Sequence, residues 1–121
     1  MKPFLFVTDL DHTLVGDDNA LAELNHKLSQ HRQEYGTKIV YATGRSPFLY
    51  RELATEKNLL EPDALVVSVG TEIYFDGNNT ADSTWSEILS PGWNRDLVLS
   101  TTVNFSELVP QPDSEQRPFK V

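Results

Sequence analysis

The chain has 121 residues, 39% of them hydrophobic and 23% charged, as expected of one globular domain. It contains no cysteine, which excludes disulfides, thiolate nucleophiles and cysteine-based zinc sites. The net charge is −8, and residues 61–121 carry ten acidic against three basic side chains, a balance that argues against nucleic acid or an anionic membrane as partner.

Phe4–Thr8 (FLFVT) is a short apolar run rich in aromatic and β-branched residues and reads as a buried strand. It is too short for a signal-peptide core, and no stretch has the length of a membrane-spanning helix, so a cytoplasmic location is expected. Leu21, Leu24 and Leu28 then recur at helical spacing, with Asn19 as the expected N-cap and Asp17-Asp18 as a solvated turn before it. A second strand is predicted at Lys38–Thr43 (KIVYAT). Ser46-Pro47 reads as an N-cap followed by a first-turn proline, opening a helix through Leu49 and Leu53. Ala64–Val69 (ALVVSV) is the third predicted strand. Two successive βαβ units predict an α/β layered fold.

After Val69, Gly70–Phe75 reads as an extended segment or hairpin arm, and Asp76–Asn79 as a turn. Thr84 and Glu87 have capping-box spacing before a helix that should stop by Pro91-Gly92. A further helix is predicted at Trp93–Thr102. The closing Phe119-Lys120-Val121 looks like the first residues of a strand.

Two polar motifs terminate predicted strands. Asp9 and Asp11 lie two apart, a spacing that turns both carboxylates to one side of an extended segment. Paired carboxylates share a proton or recruit a cation. With Mg²⁺, one could attack phosphorus and the other could serve as general acid and then base. A solvated acidic loop, with Asp11 or Thr13 capping the next helix, explains the same letters. Thr43-Gly44-Arg45-Ser46 supplies a hydroxyl and a glycine amide before a helix start, a good site for phosphoryl oxygens, although a capped turn also fits. Convergence favours function, because a βαβ unit sets the two strand ends side by side.

The strand ending in Asp9-Leu10-Asp11-His12-Thr13 resembles the first motif of the haloacid dehalogenase-like phosphatases, and the strand ending in Thr43-Gly44-Arg45 resembles their second. More narrowly, ATGRSPFLYREL, VSVGTEIYF and SEQRPFKV resemble the sucrose-phosphate phosphatases. The resemblance implies a three-layer Rossmann-like parallel sheet core, incomplete here, over residues 1–79, and the beginning of an α+β cap over residues 80–121. It implies Mg²⁺-dependent hydrolysis of sucrose 6-phosphate through an aspartyl-phosphate. Asp9 would be nucleophile and metal ligand; Asp11 would be general acid/base and would bind the metal through its backbone carbonyl. Thr43 and Gly44 would hold phosphoryl oxygens, Thr13 would steady the first loop, and Arg45 would lie near the substrate.

Members of that family are longer, and their lysine motif and acidic metal-binding motif lie beyond the stretch that this sequence matches. Lys120 is the only lysine after residue 60. The chain is therefore expected to be a fragment, inactive or weakly active alone, with an open sheet edge available for self-association. The competing expectation is a non-catalytic module that binds sugar phosphate or pairs with a partner while retaining half of an active site.

Overall fold

The structure, a computed structural model, describes residues 2–121. Its centre is a four-stranded sheet in the order β1-β2-β3-β4. β1 (Leu5–Asp9), β2 (Lys38–Ala42) and β3 (Ala64–Val67) run parallel, and β4 (Glu72–Phe75) returns antiparallel to β3. The predicted βαβαβ unit is therefore present, and the extended segment after Val69 is a hairpin arm that makes the sheet mixed. β3 ends two residues earlier than predicted because Ser68 and Val69 adopt positive φ and leave the ladder.

Helix α1 (Asp18–Tyr35) joins β1 to β2, and α2 (Pro47–Lys57) joins β2 to β3. The cap of α1 is Asp17 rather than Asn19: its Oδ1 accepts from Ala20 N at 3.0 Å, so the acidic pair begins the helix instead of forming a loose turn. The gain is that an amide otherwise left without a partner is satisfied beside the positive end of the helix. Asp17→Ala should lower stability by about 1 kcal/mol, measurable as a shift in the urea midpoint. α2 starts as expected, with Ser46 Oγ accepting from Leu49 N at 3.2 Å and Pro47 in its first turn.

Both helices pack on the same side of the sheet. Ile39, Tyr41 and Val67 point to that side and are buried against Leu21 and Leu28 of α1 and Tyr50 and Leu53 of α2. The opposite side carries Leu5 and Val7, 62% and 55% exposed, with half-buried Val40, Ala42, Val66 and Ile73 beside them. Among the described residues, the core is thus sheet plus one helical layer. The incompleteness expected from the sequence appears as a bare apolar face and an unpaired β1 edge.

Beyond β4 come α3 (Ser83–Leu89) and α4 (Arg95–Thr102). The cap of α3 is Asp82, whose Oδ2 accepts from Trp85 N at 2.9 Å, so Thr84 lies inside the helix and the anticipated capping box does not form. Asn94 caps α4, accepting from Leu97 N at 3.0 Å, which moves the helix start from Trp93 to Arg95. The C-terminal residues do not begin a strand. A 3-10 turn at Asp113–Glu115 leads into a tight reversal in which Arg117 and Lys120 bridge each other.

Candidate active site

Asp9 is the last residue of β1 and pairs in register with Ala42, the last residue of β2. The two motif-bearing loops consequently leave the sheet from adjacent positions at its carboxyl edge, where ligands bind in open α/β sheets. Buried Leu10 and Leu14 pin the first loop to the core. Leu10 O accepts from both Thr13 N and Val15 N, at 3.2 and 3.0 Å, which curls the loop back on itself. His12 at the crest adopts φ 60°.

Asp9 is exposed, and its Oδ1 accepts from Leu10 N at 2.8 Å. Its Oδ2 faces Thr13 Oγ1 at 3.5 Å, the limit of a hydrogen bond, so this oxygen stays open to a ligand.

Thr43 is buried. Its amide donates to Val66 O at 2.9 Å, and its Oγ1 accepts from Arg45 N at 3.2 Å. Gly44 is exposed, and a Cβ there would meet only the Val69 side chain, at an ordinary 3.8 Å. The glycine is therefore not required by packing within the described residues; it provides bare backbone on the open side of the loop.

Arg45 crosses between the loops. Its Nε and Nη2 donate to Asp11 Oδ2 and Oδ1 at 2.9 and 2.8 Å, and its Nη1 donates to Leu49 O at 3.2 Å. The hydrogen bonds from Arg45 outweigh the opposing effect of burial and hold the Asp11 carboxyl below its ordinary 3.8. In this arrangement the Asp11 carboxylate is ionised and engaged by Arg45.

Mg²⁺ takes oxygen ligands and combines a few carboxylates with waters and phosphate. Asp9, exposed and with one carboxylate oxygen open, fits that requirement. No cluster of three or more His, Cys, Asp or Glu suited to a metal occurs among the described residues. Asp9 would therefore offer one open carboxylate oxygen to such a shell, while both carboxylate oxygens of Asp11 are taken up by Arg45.

Sequence reasoning missed the contribution of the turn after β3. Ser68 N donates to Arg45 O at 2.7 Å, and Val69 lies against Gly44. It also missed Glu72, Glu115 and Arg117, which surround this turn and the start of α2. A glutamate inside a short apolar strand was the available signal, since a buried carboxylate requires a partner.

A family model described as sucrose-6F-phosphate phosphohydrolase matches residues 2–121. The chain belongs to this family. It is 44% identical over 123 residues to the probable sucrose-phosphatase 3b of Arabidopsis thaliana, with 98% of the chain and 29% of that relative covered. It is 39% identical over 127 residues to sucrose-phosphatase 1 of Nicotiana tabacum, covering 97% and 28%. The X-ray structure of the Synechocystis sp. PCC6803 sucrose-phosphatase, in complex with sucrose and phosphate, superposes with a TM-score of 0.86 at 39% identity. That superposition covers 98% of the chain and 47% of the Synechocystis protein. A haloacid dehalogenase-like hydrolase of Bacillus subtilis matches at a TM-score of 0.63 and 20% identity, a likeness of fold. The chain thus spans less than a third of the length of these plant relatives and aligns with their N-terminal part. No helix among the described residues is long and apolar enough to cross a membrane.

Proposed function

We propose that the chain carries the nucleophile-bearing half of a Mg²⁺-dependent phosphatase site for sucrose 6-phosphate, with a core at residues 1–79 and the start of a substrate cap at residues 80–121. The observation that supports this most directly is the Arg45–Asp11 fork, because it joins the two motif loops across 34 residues of sequence. An acidic loop and an unrelated capped turn have no reason to meet in this way.

In this reading Asp9 Oδ2 attacks phosphorus and the bond from phosphorus to the sugar oxygen breaks, leaving an aspartyl-phosphate. Asp11, released from Arg45 and protonated from solvent, gives that proton to the departing sugar oxygen. It then takes a proton from the water that attacks the aspartyl-phosphate, releasing phosphate and restoring Asp9. Thr43 and the Gly44 backbone hold phosphoryl oxygens, and Arg45 lies near the substrate. Mg²⁺, held by Asp9 and Asp11, would supply electrostatic stabilisation of the charge on those oxygens. The chain alone is expected to release phosphate at or near background.

The test is binding of sucrose 6-phosphate in the presence of Mg²⁺, followed by amide shifts at Leu10, Thr43 and Gly44. Asp9→Asn should weaken it about tenfold or more, as loss of a ligand does at metal sites. Absence of Mg²⁺-dependent binding by the unaltered chain would overturn the reading. Phosphate release above the Asp9→Asn level would show that the 121 residues suffice for turnover.

A second reading, a module that pairs with another chain through β1, is supported by the exposure of Leu5 and Val7 on the unpaired edge strand. A monomeric mass by light scattering at high protein concentration would dismiss self-pairing.

A further inference from the structure

Residues 113–120 are held from two sides. On one side, Trp93 Nε1 donates to Pro118 O at 2.8 Å. Arg95, at the start of α4, donates to Arg117 O at 3.2 Å and to Gln116 Oε1 at 2.8 Å. On the other side, the same segment reaches the sheet. Glu115 is 3% exposed, and its Oε1 accepts from Ser46 N at 2.9 Å, the residue directly after Arg45.

Two residues further on, Arg117 forks onto Glu72. Its Nη2 and Nε donate to Oε1 and Oε2 at 2.7 and 2.9 Å. Glu72 is buried and also accepts from Ser68 Oγ at 2.5 Å and Tyr74 OH at 2.9 Å. Ser68 in turn holds Arg45 O. Two charged side chains of the segment therefore end on neighbours of Arg45, Glu115 on Ser46 and Arg117 on Glu72, which holds Ser68.

The turn so held is strained. Ser68, Val69 and Gly70 adopt φ of 53°, 58° and 83° in succession, and a β-branched residue rarely takes the left-handed region. Such a conformation persists only where its surroundings over-determine it. Glu72, fixed by Arg117, is a large part of those surroundings.

We propose that residues 113–120 are a strap coupling the start of α4 to the phosphate loop, and that Glu115 and Arg117 are positioning residues for Thr43–Ser46. The assignment of that loop to phosphate rests on the function proposed above; the mechanical coupling does not. A shift at Trp93 or Arg95 moves the strap, and the strap moves Ser46 and Ser68, the two groups that set the pose of Arg45. Placement of the region after residue 80 is thereby transmitted to the residue that governs Asp11.

The experiment is amide hydrogen exchange, resolved by NMR, on the whole chain. Glu115→Ala should speed exchange at Ser46 about tenfold, the effect of losing a charged acceptor. Glu115→Gln, which keeps an acceptor oxygen, should restore most of the protection, while Val7 and Tyr41 in the strands stay unchanged. Trp93→Phe removes the bond to Pro118, trims the ring that packs on Phe119 and touches neither loop, so faster exchange at Ser46 and Ser68 in that variant is the signature of coupling.

Unchanged exchange at Ser46 and Ser68 in Trp93→Phe overturns the strap, as does a uniform rise across the sheet. A Glu115→Ala chain that fails to fold leaves Trp93→Phe and Glu115→Gln to decide. A parallel titration with inorganic phosphate and Mg²⁺, read at Thr43 and Gly44, should weaken several-fold in Glu115→Ala and recover in Glu115→Gln. If the unaltered chain shows no response to phosphate there, the phosphate assignment falls while the exchange data still judge the coupling.

Discussion

Arg117→Ala is expected to destabilise the chain by about 3 kcal/mol, the lower end of the cost of stranding one partner of a buried ion pair. Glu72 is 5% exposed and would keep hydrogen bonds from Ser68 and Tyr74, which places the loss at that lower end. The removed contact is a two-point fork at 2.7 and 2.9 Å, so charge and geometry disappear together. Chemical denaturation measures it directly. Arg117→Lys should recover part of the loss, since a lysine restores charge without the fork.

The same pair predicts a pH dependence. Burial alone would raise the Glu72 carboxyl, but hydrogen bonds from Arg117, Ser68 and Tyr74 outweigh it and bring it below the ordinary 4.5. A carboxyl lowered by folding contributes stability that is present above its unfolded value and is lost as pH falls through its folded value. The gap between the unaltered chain and Arg117→Ala should therefore be widest near neutrality and shrink below about pH 4.5. A gap independent of pH over that range would mean that the arginine acts through packing rather than charge.

Ile39→Ala is the second large effect, with an expected loss of about 3–4 kcal/mol from methylene burial and the cavity left behind. Ile39 is fully buried on the covered side of the second strand, and its amide donates to Asp63 Oδ2 at 2.8 Å. Asp63 also pairs with Arg32 and Lys38, at 3.1 and 3.3 Å, so the strand is fixed in place and has little freedom to close the cavity. Val7→Ala makes the contrast. It lies on the bare side at 55% exposure and should change stability by less than about 0.5 kcal/mol. Equal costs at the two positions would contradict a core built on one side of the sheet.

The sequence was most informative where local chemistry had a single solution. Ser46-Pro47 announced a helix start, and apolar runs of five or six residues announced the parallel strands. Both motif loops could be placed because a strand end followed by polar residues has few alternatives in a βαβ unit. Caps were less legible. Asp17, Asn19, Asp82 and Thr84 are all competent capping residues, and the choice fell to Asp17 and Asp82 through loop geometry that short-range patterns do not encode.

The Arg45–Asp11 fork and the Glu72–Arg117 pair lay further from reach. Each joins residues dozens of positions apart, and nothing local distinguishes Arg117 from the chain's other surface arginines. The closing residues illustrate the same limit. Phe119-Lys120-Val121 has strand composition, yet Trp93 packs on Phe119 with ring centres 6.3 Å apart and its indole holds Pro118, which favours a tight reversal.

The strand order of the sheet bears on how the molecule assembles. Every ladder joins strands that are consecutive in the chain, from β1-β2 to the β3-β4 hairpin. The closures span 33, 24 and 5 residues at their register pairs Leu5–Lys38, Val40–Ala64 and Val67–Glu72, so the sheet can grow strand by strand in the direction of synthesis. The contact from Glu115 to Ser46 spans 69 residues and that from Arg117 to Glu72 spans 45, placing both at the end of this sequence of closures. The Thr43–Ser46 loop is thus built early and tightened late: its hydroxyl and glycine arrive with β2, and its final geometry arrives with residues 113–120.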